Sequence, residues 1–384
     1  MLSVFSYIDW ILFTFLTLCV AYLLIFAIAS LFYYEKQYPD TKIKHRFLVL
    51  FPAYAEDAVI VNSVQTFLQQ DYPEEFYQIV TISDHQKEET VRQLRNLPII
   101  TLIATYENST KAKALKFAID KIEGNFDTVV ILDADNLAPP NFLSEINKMR
   151  AIRAKTIQVH RKGMINQSQI SLLDGLSEEI NTCFFRKGHQ ALGLSPALSG
   201  SGMAFEYKWF KENIRKVWTS GEDKEIEALL LKQKEKILYT HHLCIYDKKT
   251  EKQNTISQQR KRWIAAQYQA LITNLPHLPH AIISLNFSYI DKIIQWMLPP
   301  RLIQLTLVFG ITLLLIIFNV SNSYKWIILS IAQIVSMAIP IPKEDWNAAL
   351  FQSLIHIPKL TLMTIINILH LKDTPKKFFH TKHE

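Results

Sequence analysis

The chain has 384 residues, of which 49% are hydrophobic and 20% charged, so it holds one sizeable folded domain plus membrane segments and is not a fully soluble two-domain protein. A formal net charge of +7 suits an anionic inner leaflet or a polyanionic ligand, although the retention of basic residues beside membrane spans produces much of it by itself. Cys19, Cys183 and Cys244 have neither paired metal spacing nor a disulfide framework, and read as packing residues in a reducing compartment.

Residues 11–32 carry no charged side chain, and about 22 helical residues at roughly 1.5 Å each reach about 33 Å, enough to cross a bilayer core. A cleaved signal peptide is the rival reading. It requires a basic leader and a shorter apolar core, whereas residues 1–10 contain no Lys or Arg and Tyr33-Tyr34-Glu35-Lys36 follows the run. Residues 1–35 are therefore expected to be an anchor. Lys36, Lys42, Lys44 and Arg46 follow the span and only Asp9 is charged before it, which directs the chain from outside to inside and makes the polar region cytosolic.

From residue 46 onward short apolar runs alternate with helical spacing. Residues 47–51 read as a buried strand ending at Pro52, 57–70 as a helix, 78–82 and 98–103 as strands, 111–122 as a helix and 128–132 as a fourth strand. Strands alternating with helices predict an α/β fold, with a mostly parallel sheet covered on both faces. Ligands of such sheets gather beyond the carboxyl ends of the strands. Pro52-Ala53-Tyr54-Ala55-Glu56, Asp84 and Asp133-Ala134-Asp135 each follow a predicted strand, so they are expected along one rim. The predicted domain runs from 36 to 250, followed by interfacial amphipathic helices over 251–300.

Apolar runs return at 302–320 and 326–341, expected to be two crossings, although Pro340 and Pro342 shorten the second. The run at 350–371 carries His356, Pro358, Lys359 and His370, which favours an interfacial or re-entrant helix. Residues 301–371 thus form the C-terminal membrane region, and 372–384 a basic tail with Lys372, Lys376, Lys377 and Lys382.

The chemistry-bearing residues are mostly carboxylates. Asp133 and Asp135, with only a small Ala134 between them where a buried strand opens, present hard oxygen ligands suited to Mg2+ or Mn2+. Such an ion bridges diphosphate oxygens and stabilises a leaving diphosphate. The alternative is a pair that caps the helix beginning near Pro140. Glu222-Asp223 also reads as the acidic first turn of a helix over 224–229, a favourable placement in itself. Gln259 and Arg262 share a helix face, with Trp263 one turn from Gln259. The bland reading of that segment is an interfacial helix whose basic residues face lipid phosphates.

Taken in order, the segments Phe51-Pro52-Ala53-Tyr54-Ala55-Glu56, Ile82-Ser83-Asp84, Lys111-Ala112-Lys113, Asp133-Ala134-Asp135, Gly221-Glu222-Asp223 and Gln259-Arg260-Lys261-Arg262-Trp263 resemble membrane-bound family 2 glycosyltransferases. That group has a GT-A fold and includes cellulose, hyaluronan and poly-N-acetylglucosamine synthases and ceramide glucosyltransferase. The resemblance covers roughly residues 46–265. It implies an inverting, metal-dependent transfer from a nucleotide sugar, uridine diphosphate-linked, to a membrane-associated lipid or growing polysaccharide. Pro52, Ala53 and Glu56 would then frame the nucleotide, with Asp84 near uracil and ribose and Lys113 also on the donor.

The same resemblance makes Asp135 the main metal ligand and places Asp133 beside both metal and diphosphate. Asp223, with Glu222 beside it, is the implied general base, Trp263 supports the acceptor sugar, Arg262 helps bind the diphosphate, and Gln259 belongs to the same catalytic set. The turn at 198–205 is similar to the small-residue turn beside the acceptor. Two departures stand out: His85-Gln86 follows Asp84, and Ala112 stands where many relatives have glycine. Residues 378–383 loosely resemble a gating segment. The expected partners are donor, acceptor and membrane, without nucleic acid and with a homo-oligomer or export partner for a polymer. The implied location is an integral membrane protein, in the inner membrane if bacterial. The competing class is a catalytically inactive membrane scaffold of a polysaccharide-synthesis complex.

Overall fold

A computed structural model describes residues 2–164, 169–248, 253–318 and 323–370. The first apolar run forms α1 (Leu2–Ser30). The expected alternation follows as β1 (Phe47–Tyr54), α2 (Ile60–Phe67), β2 (Tyr77–Asp84), α3 (Glu88–Arg95), β3 (Ile100–Ala104), α4 (Lys111–Lys121), β4 (Thr128–Ile131) and α5 (Phe142–Ala151). Next come β5 (Thr156–Met164), α6 (Gln169–Thr182), a π-helical segment Cys183–Gly188, α7 (His189–Ala191), β6 (Met203–Glu206), α8 (Tyr207–Asn213), α9 (Glu222–Lys232) and β7 (Ile237–Lys248).

The seven strands form one sheet in the order β3-β2-β1-β4-β6-β5-β7. The pairs β1–β2, β1–β4, β2–β3 and β5–β7 are parallel, while β6 runs antiparallel to both β4 and β5. Side chains alternate across the strands. Leu48 and Leu50 join the core under α4 with Val80, Ile82, Val129 and Ile131, whereas Phe47, Val49 and Phe51 join the core under α2 and α5 with Phe67 and Phe142. Burial on both faces explains why these strands are continuously apolar.

β1 does not stop at Pro52 but continues to Tyr54, with Pro52 opposite Ile82. Ala55 donates its N–H to the Asp84 carbonyl on β2, and the Leu50 carbonyl accepts from Leu132 on the β4 side. By alternation Pro52 turns toward β4, whose pairing with β1 ends at Ile131. The missing proline N–H therefore interrupts no ladder.

The C-terminal part consists of α10 (Gln253–Asn274), α11 (Leu278–Ile283), α12 (Phe287–Met297), α13 (Arg301–Ile317), α14 (Ser323–Ala338), α15 (Ala348–Leu354) and α16 (Ile357–Leu369). Among the described residues only Ser6–Ser30 is by itself a helix long and apolar enough to cross a membrane; there are up to three if the bent pairs α12–α13 and α15–α16 each make one span. Neither of the two expected C-terminal crossings is by itself a helix of spanning length. α13 has 17 residues and reaches spanning length only with α12, across a 60° bend at Pro299-Pro300. α14 has 16 residues and ends before Pro340, since proline cannot continue the hydrogen-bond ladder. The 46° bend between α15 and α16 suits the re-entrant reading of the last run. The tail 372–384 and the segment 378–383 lie outside the described residues.

α1 is fastened to the rest of the chain along its length. At one end the Asp9 carboxylate accepts from Lys325 and from the Trp326 indole on α14. At the other, the Tyr22 hydroxyl donates to Asp291 at 2.9 Å, and Phe26 stacks on His189 with ring centroids 3.9 Å apart. Gly188 makes this contact close: a Cβ there would stand 2.3 Å from the Phe26 carbonyl oxygen. Gly188→Ala should therefore lower stability by about 1–3 kcal/mol through overpacking. Gly175→Ala on α6, where a Cβ meets nothing within 4 Å, should not; thermal unfolding of the two variants in detergent measures the difference, and equal behaviour would refute the close crossing.

Candidate functional site

A cleft opens at the carboxyl ends of β1, β2 and β4 and is closed on its other side by α9 and α10. It is lined by Pro52, Ala53, Glu56, Asp84, Asp133, Asp135, Glu222, Asp223, Gln259, Arg262 and Trp263. Eleven of the twelve residues singled out in the sequence thus meet in one place, from loops and helices distant along the chain. Lys113 does not line it. α4 begins at Lys111, and two helical positions differ by about 200°, so Lys111 and Lys113 point opposite ways. Lys111 enters the cleft, while Lys113 is exposed, donates to the Asn108 carbonyl at 2.6 Å and lies over the Tyr106 ring.

Local chemistry explains how each segment is held. Asp84 ends β2 and is 3% exposed. His85 after it adopts φ 58°, which turns its ring back so that Nδ1 pairs with the Asp84 carboxylate. Past β4 the Asp133 backbone N–H donates at 2.9 Å to Asn136 Oδ1 and at 2.9 Å to Ser201 Oγ, and Ser201 in turn hydrogen-bonds to Asn136. The Asp133-Ala134-Asp135 loop is thus fixed to the turn preceding β6, where Gly200 and Gly202 have φ 85° and 63°, values that favour glycine. α5 starts after Asn141 without a side-chain cap, so neither aspartate caps that helix.

Glu222 and Asp223 open α9, where a helix start favours negative charge. They reach the cleft because Gly221 packs on α10: a Cβ at Gly221 would be 2.8 Å from Ala266 Cβ. Ala266 is one turn beyond Arg262 and Trp263. The same contact therefore brings the acidic turn against the face that carries Gln259, Arg262 and Trp263. The Asp223 carboxylate faces Gly200, with Oδ2 3.9 Å from where a Cβ would sit.

Lys111 and Arg161 organise the charge. Lys111 Nζ donates to Asp133 and, at 2.7 Å, to the Gly200 carbonyl, and stands 3.8 Å from Glu222. Arg161 on β5 grips Asp247 on β7 at 2.8 Å and reaches Asp133 at 3.9 Å. Burial alone would raise the Asp133 carboxyl pKa, but Lys111, Arg161 and Arg262 outweigh it and hold it below its ordinary value. Asp135 goes the other way, raised by burial and by Asp247 and Asp133. Glu56 is pushed up to about 9 by burial and by Asp135, Asp133 and Asp57. Glu222 is raised by burial and by Asp223, against the pull of Lys111.

Eight carboxylates and four Lys or Arg side chains line the cleft. Among the described residues no group of three or more His, Cys, Asp and Glu side chains is arranged around a metal position. The donor set nevertheless fits Mg2+ or Mn2+ in the way such ions bind with phosphates, through one or two carboxylates while substrate oxygens and water supply the rest. Carboxylates that raise one another's pKa are a site where a cation relieves repulsion. Arg161, Asp174, Lys224 and Asp247 also line the cleft and were not singled out in the sequence. Arg161 and Asp247 left one signal, a charged residue in each of two buried parallel strands; Asp174 left none.

Lys111→Met removes the main partner of a buried carboxylate and should lower sugar-nucleotide turnover at least about 100-fold, the scale of breaking a buried ion pair. Lys113→Met should stay within about threefold. Steady-state release of nucleoside diphosphate compares the two, and a reversed order would contradict the placement of these lysines.

A family model described as glycosyltransferase-like family 2 matches residues 45–266. No curated protein sequence matches the chain. Among solved structures, the mannosyltransferase PcManGT from Pyrobaculum calidifontis, in complex with GDP-Man and Mn2+, is similar at a TM-score of 0.56 and 13% identity, covering 94% of this chain and 98% of that one. S. aureus TarS 1-349 in complex with UDP-GlcNAc reaches a TM-score of 0.45 at 14% identity, over 86% of this chain and 91% of that one. At such identity the likeness to PcManGT is one of fold.

Proposed function

The chain belongs to glycosyltransferase-like family 2, and from that premise we propose that it is an inverting, divalent-metal-dependent enzyme that moves a sugar from a uridine diphosphate-linked donor to a membrane-associated acceptor. That it is a glycosyltransferase follows from the family. The observation that carries the finer reading is the meeting of two acidic pairs, Asp133/Asp135 and Glu222/Asp223, with Gln259, Arg262 and Trp263 in one cleft.

In this reading Asp135 and Asp133 would hold the metal, which would supply positive charge for a diphosphate leaving group. A net-acidic cleft admits a diphosphate only with such a counter-ion, and the Mn2+ in the PcManGT complex is in keeping with this. Pro52, Ala53, Glu56 and Asp84 frame the nucleotide. Arg262 grips a phosphate through its planar fork, Gln259 orients the same group, and Trp263 offers a ring face to the acceptor sugar. Asp223 is the general base: it takes the proton from an acceptor hydroxyl as that oxygen attacks the anomeric carbon. The bond from that carbon to the diphosphate oxygen breaks on the opposite face, so one displacement inverts the centre. Glu222, less exposed and beside Lys111, shapes the field around Asp223.

The membrane setting rests on different observations. α1 exposes Ile11 and Leu18 beyond half of their surface, as do Leu313, Leu314 and Ile317 on α13, Ile328 and Ile331 on α14, Leu362 and Leu369 on α16, and Phe32 just past the end of α1. An apolar surface of that extent is unlike a water-facing one. We place residues 1–35 as the anchor, 36–250 as a cytosolic catalytic domain, 251–300 as interfacial helices and 301–371 as membrane helices, with the basic residues after α1 inside.

Asp135→Ala and Asp223→Asn should each reduce transfer in reconstituted vesicles by at least about three orders of magnitude, the scale of losing a group that acts in the transition state. Circular dichroism should remain unchanged, and full turnover in either variant would sink the assignment. Chelation should abolish activity and added Mn2+ or Mg2+ restore it, measured as nucleotide release; activity that persists after chelation would remove the metal from the proposal. Product sizing after incubation with donor separates a single addition, read as one added sugar, from polymerisation, read as a ladder.

A further inference from the structure

Arg260 and Arg301 are left without a task by the catalytic reading. Gln259, Arg262 and Trp263 face the cleft, and Arg260, one residue from Gln259 on α10, is turned about 100° away, toward α6. There its Nη2 stands 3.9 Å from Asp174. Arg301, the first residue of α13, donates through Nη2 to the carbonyl and the hydroxyl of Ser177, at 3.2 and 3.0 Å. Asp174 and Ser177 are three positions apart on α6 and share a face. The two guanidinium groups are thus anchored one helical turn apart on α6, with Glu178 on the same helix attracting Arg301 more than Arg260 repels it.

Each leaves an Nη1 atom buried without a hydrogen-bond partner. A buried unsatisfied donor on a charged group is costly, and native interiors rarely leave one without a reason. Asp174 is too distant for a hydrogen bond to Arg260, and Glu178, the next acid on α6, hydrogen-bonds to Arg186 at 2.9 Å while attracting Arg301 only electrostatically. Burial lowers the Arg260 pKa and Asp174 opposes this only in part. The start of α13 adds positive potential next to Arg301. Asp174 lines the donor cleft, so this cationic pair adjoins the place of sugar transfer.

We propose that Arg260 and Arg301 form an oxyanion site, beside the donor cleft across Asp174, that takes the phosphate group of the acceptor. The assignment rests on the transferase reading for the word acceptor, and on the arginine geometry alone for the phosphate. Planar guanidinium groups suit tetrahedral oxyanions because two N–H donors meet two oxygens, and a phosphate oxygen is a fitting acceptor for each orphaned nitrogen.

The test uses the full chain in detergent micelles and compares binding of dihexanoyl phosphatidic acid, dihexanoylglycerol and inorganic phosphate by calorimetry. The phosphatidic acid should bind at least about tenfold more tightly than the diacylglycerol, the scale of charge-assisted hydrogen bonds. Arg260→Gln and Arg301→Gln should each remove most of that margin, while Arg301→Lys keeps part of it. Acceptor-free hydrolysis of the donor reports that the variants are folded. Inorganic phosphate binding as tightly as the lipid would keep the site and assign it to a soluble phosphate; weaker binding would assign it to a headgroup. Equal binding of phosphatidic acid and diacylglycerol by the wild type, or a margin that survives both glutamine substitutions, would overturn the proposal. Phosphate-dependent binding in a wild type that never turns over donor would instead sink the transferase mechanism and leave the site standing.

Discussion

Lys111 is the contact on which the cleft depends. Its ammonium joins Asp133 after β4, the Gly200 carbonyl before β6 and the neighbourhood of Glu222 at the start of α9. Three segments that carry acidic or close-approach chemistry are thereby drawn to one point at the head of α4. Without a cation there, Asp133, Asp135 and Glu222 would crowd a weakly hydrated space with Arg161 and Arg262 left to offset them. Thr110 caps α4 by accepting from the Lys113 N–H, which sets the first helical position and so the direction in which Lys111 points.

The second constraint is close approach. Gly221 lets α10 lie on the start of α9, and Gly188 lets α1 lie on the π-helical segment. The first contact joins the acidic turn to the Gln259-Arg262-Trp263 face. The second, with the Tyr22–Asp291 hydrogen bond and the Phe26–His189 stack, holds the apolar helix against the domain that it would anchor. Both are packing decisions in which a single methyl group is too large, and both set where the cleft stands relative to the apolar helices.

Much of this was legible beforehand, for identifiable reasons. Strands buried on both faces must be apolar throughout, so β1, β2 and β4 were visible as runs, and the rule that ligands gather at their carboxyl ends put Pro52, Asp84 and Asp133 on one rim. Glu222 and Asp223 were visible because a helix start and a base favour the same residue type. Lys113 entered through the resemblance, while the helix read from Lys111 already turns Lys113 about 200° away from Lys111. Pro52 was taken for a strand end because the strand's neighbour on its β4 side stops earlier, which no local pattern reveals. Asp174 was hidden because it is an ordinary residue of its helix, and Arg161 and Asp247 left only the signal of a charge within a buried strand, whose meaning comes from their pairing across the sheet.

By itself the sequence determined the α/β class, the apolar N-terminal helix and the types of residue at the site, because hydrophobic period, length and charge are local properties of a chain. The tertiary structure alone decided that eleven separated residues share one cleft, that Lys111 and not Lys113 enters it, that the C-terminal apolar runs bend, and that Arg260 and Arg301 become neighbours through α6. Each of these depends on the packing of elements far apart in the chain, where a helix phase of about 100° per residue or the bulk of one methyl group sets which side chains meet.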